Sequence, residues 1–203
     1  MQWTAVKPDA GRELLVLGVL RRQPLSAYSI YRALRDHSAL YRPLGQGNVY
    51  HLVDRLEREG CLLRRTAKAQ RGPRTSKNVF QLSALGENRF HQLLQRVVSD
   101  PQSSDSTLEI AIVLLGQIPR PRARQMLALR DDELAAQERR IKRLFGDMDS
   151  RSGPGSLAGN HALLRVQSER HFLRAALKKL VNPRWHPEWV LHDGPVVDPK
   201  RRL

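Results

Sequence analysis

The stretch Gly45–Gly60, GQGNVYHLVDRLEREG, constrains this chain most, because it reads as a helix with two unlike faces. Val49, Leu52, Val53 and Leu56 fall at i, i+3, i+4 and i+7 and form one apolar stripe. The opposite side carries Tyr50, His51, Asp54, Arg55 and Arg58, all able to hydrogen-bond or carry charge. Gly45 serves as an N-cap, and Gly60 ends the helix where a left-handed residue is cheap. Such a helix docks by its stripe and holds its outer face up to something polar. That suits a recognition helix in a major groove, and it equally suits an ordinary amphipathic surface helix. The neighbouring segments decide between them.

Before this stretch, Leu14, Leu17, Gly18 and Leu20 give a compact apolar helix from Arg12 to Arg22, ended by Pro24. Ser26 caps a second helix through about Asp36, with Ala27, Ile30, Tyr31 and Leu34 at helical spacing. After it, Cys61–Thr66 and Lys77–Leu82 are short extended segments around a Gly72-Pro73 turn signal. The tip of this hairpin carries Lys68, Arg71 and Arg74, with Lys77 just behind. A basic hairpin directly after three helices reads as a wing that touches the sugar-phosphate backbone. Ser83 then opens a helix whose buried stripe is Phe90, Leu93, Leu94 and Val97.

Charge points the same way. Lys and Arg number 35 against 20 Asp and Glu, a formal net charge of +15 in 203 residues. Such an excess favours a polyanionic partner, because basic side chains neutralise phosphates and release condensed counterions. No apolar run reaches the length of a membrane span, and no secretory pattern opens the chain. The lone cysteine, Cys61, lies in an apolar run with Leu62 and Leu63 and is expected in the core of a cytoplasmic protein. There is no Gly-rich phosphate cradle, Cys-x-x-Cys pair or His-Glu-x-x-His helix, and the histidines are scattered. No enzyme activity, cofactor or metal site is expected.

Four pieces, taken in order, resemble the winged helix-turn-helix of the PadR-like transcriptional regulators. They are Pro24-Leu25-Ser26-Ala27-Tyr28, then Gly47-Asn48-Val49-Tyr50-His51-Leu52-Val53-Asp54-Arg55-Leu56-Glu57-Arg58-Glu59-Gly60, then Gly72-Pro73-Arg74, then Val79-Phe80-Gln81-Leu82-Ser83-Ala84-Leu85-Gly86. The resemblance covers Leu14 to about Val98. Ala27 replaces the family's usual glycine, Gly45 a capping serine, and His51 stands where proline is typical. The hairpin is slightly longer after Gly72-Pro73-Arg74. Sequence preference on DNA therefore does not carry over.

Beyond Asp100-Pro101 a Ser-rich joint, QSSDST, marks a boundary. Leu108, Ala111, Ile112 and Leu115 make one stripe, and Ile110, Val113 and Leu114 fill the other side, so this helix must be buried on several faces. Pro119 breaks it. A long charged helix follows from about Pro121 to Met148, with Leu127, Leu134 and Ile141 recurring every seven residues. DSRSGPGSLAG is expected as a loop, and a last helix from about Asn160 to Val181 carries Leu163, Val166, Arg170, Leu173, Leu177 and Leu180. This surplus of apolar helix predicts a dimerisation module, as the resemblance also implies. Ile112, Leu127, Leu134, Val166, Leu173 and Leu180 are expected to contribute to a seam between subunits. An intrachain bundle is the competing reading.

The expected fold is mainly α with a small β-hairpin: a winged helix-turn-helix domain over 1–99, a helical dimerisation domain over 105–182, and an extended tail over 183–203. The expected function is sequence-specific binding of double-stranded DNA by a homodimer on a palindromic operator, most simply as a repressor. Asn48, His51 and Arg55 are expected at base edges, with Tyr50, Arg71, Arg74 and Lys77 on phosphates, and Tyr28 and Gln46 in the same interface. The resemblance implies a small aromatic effector near the subunit interface. The other function class is a winged-helix adaptor that turns this face to a protein.

Overall fold

Leu14, Val16 and Leu17 are wholly shielded from solvent, and they sit in the helix that the rest of the N-terminal half surrounds: α1, Ala10–Leu20. The computed structural model describes residues 10–36, 45–67, 77–101, 103, 105–145 and 153–181. Pro24 stops α1 as expected, and Ser26 caps α2, Ala27–Asp36, by accepting the Ser29 amide at 3.1 Å on its Oγ. The third helix, α3, spans Gln46–Arg58, and its stripe of Val49, Leu52, Val53 and Leu56 is buried. Gly45 supplies extended backbone before α3 but no side-chain cap. Gly60 takes φ of 75°, the left-handed turn that a side chain would resist.

That turn feeds β1, Leu62–Ala67, which pairs antiparallel with β2, Lys77–Leu82, Leu62 lying opposite Leu82 and Ala67 opposite Lys77. Leu25 adds a bridge to the hairpin that helical spacing gave no sign of. Its amide donates to Phe80 O at 3.0 Å and its carbonyl accepts the Phe80 amide at 2.8 Å. Ser83 caps α4, Ala84–Ser99, accepting the Gly86 amide at 3.0 Å. Gly86 is needed here for closeness: a Cβ would stand 2.1 Å from the Cys61 carbonyl oxygen. The start of α4 is thus pressed onto the turn that ends α3. Cys61 is buried at that point, and burial raises its thiol pKa, as expected for a core residue.

The joint after α4 is a break in the helix but not in the core. Helix α5, Asp105–Leu114, runs into a 3-10 turn at Leu115–Gln117 and packs against both α1 and α4. One hydrophobic cluster continues from Leu14 through Leu114 to Leu180. Two long helices complete the chain: α6, Arg120–Phe145, and α7, Pro154–Val181, which pack along each other. The last helix begins within the segment expected as a loop. Pro154 fits a first helical turn because its φ is preset and its missing N–H is not needed there. The Gly153 carbonyl accepts the Ser156 and Leu157 amides at 3.1 and 3.2 Å.

The heptad positions require a correction. Leu127 and Leu134 of α6 and Val166, Leu173 and Leu180 of α7 lie between the two helices of one chain, at 7% exposure or less. They form an intrachain seam, because two antiparallel stripes with the same spacing satisfy each other. Ile112 on α5 is half-buried beside them. The outer side of the pair is charged and apolar in turn. Arg170 donates to Asp131 at 2.9 Å and to Glu138, and Lys142 meets Glu138 at 2.8 Å. Leu157 and Leu164 of α7 and Leu144 of α6 remain largely exposed, at 70, 66 and 67%. Residues 1–9 and 182–203, including the expected tail, lie outside the described residues.

Candidate nucleic-acid interface

With its stripe buried, α3 turns Gln46, Asn48, Tyr50, His51, Asp54 and Arg58 to solvent. On α2 and α3 the large apolar side chains exposed are Tyr28 and Tyr50, both phenols. Beside them, an open cleft of about 480 Å³ lies between the start of α2, the outer face of α3 and the hairpin. Ser26, Tyr28, Ser29, Tyr50, Asp54, Arg64 and Asn78 supply its polar lining. Ser29, Arg64 and Asn78 could not be singled out beforehand. They come from three elements that meet only in space, and no spacing in the sequence links them.

Arg64 is engaged within the protein. Its Nε and Nη2 donate to the Glu57 carboxylate at 2.8 and 2.5 Å, and its guanidinium lies 5.4 Å from the Phe80 ring centre. The hydrogen bond to Glu57 raises its pKa further. This pair ties the outer side of α3 to the hairpin and leaves that face less positive than a count of arginines suggests.

Arg55 departs from the expected geometry. Its Nη2 donates to Oε2 of Glu13 on α1 at 3.2 Å, and its Nε stands 3.8 Å from Glu59. Glu13 is 5% exposed and its other oxygen accepts Arg89 Nε of α4 at 2.6 Å. The guanidinium of Arg55 therefore faces the body of the protein, while Asn48 and His51 face outward. Periodicity placed Arg55 on the polar side correctly but could not reveal a buried carboxylate on another helix. Arg71 and Arg74 lie outside the described residues; of Lys77 the backbone is described, paired with Ala67.

An amide, an imidazole and two phenols on one face can hydrogen-bond to base edges and phosphate oxygens, and a carboxylate beside them can accept from a base amine. Among the described residues no cluster of His, Cys, Asp or Glu could hold a metal ion, and no helix is long and apolar enough to cross a membrane.

Residues 16–92 match the family model of the transcriptional regulator PadR-like family. No curated protein matches the sequence. Among solved structures, Bacillus subtilis PadR in complex with operator DNA is 20% identical over 83% of this chain and 98% of its own, with a TM-score of 0.40. The same protein in complex with p-coumaric acid is 17% identical over 88% of this chain and 99% of its own, at 0.38. A PadR-like transcriptional regulator from Bacillus cereus is 20% identical over 87% and 99%, at 0.40. These superpositions are loose; the family match runs from Val16, midway along α1, through α2, α3 and the hairpin to Gln92 of α4. Over residues 16–92, this chain is similar to the transcriptional regulator PadR-like family.

Proposed function

We propose that the chain is a sequence-specific double-stranded DNA-binding regulator that represses as a homodimer on a two-fold operator. The observation that carries this reading is the outer face of α3, where Asn48 and His51 stand exposed on a helix whose opposite stripe is buried. Asn48 suits adenine and His51 a base edge, while Asp54 accepts from a cytosine amine and repels phosphate. Tyr50, Tyr28 and the hydroxyls of Ser26 and Ser29 border the same cleft and suit the backbone. By sequence, Arg71, Arg74 and Lys77 are the further cations proposed for phosphate, and the net charge of +15 supplies the long-range attraction. An adaptor would need an aliphatic patch on this face, and α2 and α3 expose only the two tyrosines as large apolar groups.

The dimer forms through the outer stripe of α7. Leu157, Leu164 and Phe172 are exposed at 70, 66 and 46%, on the side of the helix opposite Gly159, Val166 and Leu173. A second copy covers this stripe and gives the two-fold symmetry a palindrome demands. Near its end, a cleft of about 210 Å³ is lined by Ile112, Leu115, Leu127, Phe172, Ala176 and Leu180, with Lys179 on its wall. An aromatic effector fits this chemistry, and Lys179 would favour one with an acidic group. It shifts operator affinity only by binding one spacing of the recognition helices better than another.

Selection of duplexes from a random pool by the full chain, followed by footprinting, tests the whole reading. The expected product is a pair of inverted half-sites centred about 10 base pairs apart. Enrichment of no sequence contradicts it.

A further inference from the structure

Among the described residues, Arg130 of α6 is the largest side chain removed from solvent, at 1% exposure. A guanidinium there is costly unless its N–H groups all find acceptors. Its Nη1 donates to the carbonyl oxygens of Val97 and Val98 at 3.4 and 3.3 Å, and to that of Asp100. Its Nε donates to Glu169 of α7. The last carbonyls of α4 have no partners within their own helix and carry its partial negative charge. Arg130 caps them from another element, and Glu169 holds Arg130 from a third. Ser103 closes the same corner, its Oγ donating to Val97 O at 2.9 Å.

The position within the seam matters. Arg130 lies between Leu127 and Leu134 on α6, and Glu169 between Val166 and Leu173 on α7, all four apolar neighbours being buried. A polar pair inside an apolar seam stabilises less than a well-packed hydrophobic pair, and its best-attested use is to fix register. This pair fixes more than the register of α6 on α7, because its hydrogen bonds extend to the end of the last helix of the DNA-binding unit.

We propose that Arg130 is a positioning residue for operator reading: it sets the angle between the winged helix and the α6–α7 arm, and through it the half-site separation a dimer accepts. This rests on the DNA-binding dimer proposed above. The lever is the length of α4, 16 residues. At about 1.5 Å per residue α4 is ~24 Å long, so a tilt of about 10° at its end moves the far end by about 4 Å. That is close to the ~3.4 Å spacing along one DNA strand. A small loosening at Arg130 is therefore enough to blur the separation by a base pair. The body stays together without it, because Arg21 Nη1 still donates to Gln117 O at 2.8 Å and Gln117 Nε2 to Gly18 O at 3.1 Å at the other end of α5.

The test compares full-length wild type and Arg130→Met on selected duplexes whose half-sites are moved apart or together one base pair at a time. Wild type should prefer one separation over its neighbours by about tenfold, and Arg130→Met should flatten this to about twofold or move the optimum. Half-site sequence preference should not change in the variant, a result that general destabilisation would not give. Should Arg130→Met fail to fold, Glu169→Gln, which weakens the anchor to α7 and leaves the bonds to α4, carries the same expectation. A variant with the wild-type separation profile overturns the role of Arg130 alone. A wild-type chain that selects no duplex overturns the DNA-binding reading, and this one with it.

Discussion

Glu13 of α1 and Arg55 of α3 form an ion pair at 3.2 Å, and the Glu13 carboxylate is buried while Arg55 is a third exposed, at 35%. The other oxygen of Glu13 takes Arg89 of α4 at 2.6 Å, and the bond to Glu13 raises the pKa of Arg89. One carboxylate thus joins α1, α3 and α4 behind the face that carries Asn48 and His51. Arg55→Ala should lower stability by about 1–2 kcal/mol, less than the loss of a fully buried partner because Arg55 is partly solvated and Arg89 remains. On DNA it should weaken cognate and scrambled duplexes alike. Urea unfolding and paired binding titrations check both halves; selective loss on the cognate duplex would restore Arg55 as a base reader.

The seam of α6 and α7 predicts a pH dependence. Hydrogen bonds from Lys142, Gln167 and Arg170 lower the Glu138 pKa from 4.5 to about 2. Between those values the unfolded chain binds a proton that the folded chain does not, so stability is complete above the ordinary carboxylate range and drains as pH falls towards 2. Melting temperature followed from neutral to acid pH should fall less steeply in Glu138→Gln than in wild type. Parallel curves would show that Glu138 is solvated rather than held.

The outer stripe of α7 predicts a clean separation of folding from assembly. Leu157→Glu with Leu164→Glu removes two exposed apolar side chains without touching the intrachain seam, and should give a folded monomer by sedimentation with near wild-type stability. Leu173→Ala, at a site with no exposure, should instead cost about 2–5 kcal/mol of stability. A double variant that remains as dimeric as wild type removes α7 as the interface.

The winged helix was legible because local rules agree there. Ser26 and Ser83 cap helices, Gly60 turns, and the α3 stripe repeats at helical spacing, so each piece indicates its own structure. The C-terminal half was legible in elements but not in pairing. Leu127, Leu134, Leu173 and Leu180 carry the same seven-residue period whether the partner helix belongs to the same chain or to another, and only the fold chooses. Glu13 and Arg130 were invisible for a related reason. A charged residue in a helix reads as solvent-facing until the acceptors or donors brought to it from distant segments are known. DSRSGPGSLAG reads as a loop, yet Pro154 within it opens α7, since proline fits the first turn and not the interior.

On the proposed function, α3 reads base edges through Asn48 and His51. Affinity for a selected duplex and for a scrambled one, measured at one salt concentration for wild type, Asn48→Ala and His51→Ala, tests it most directly. Each variant should lose about 1–3 kcal/mol of discrimination between the duplexes while its affinity for the scrambled one stays within a few-fold. Equal losses on both duplexes, or none on either, would contradict it.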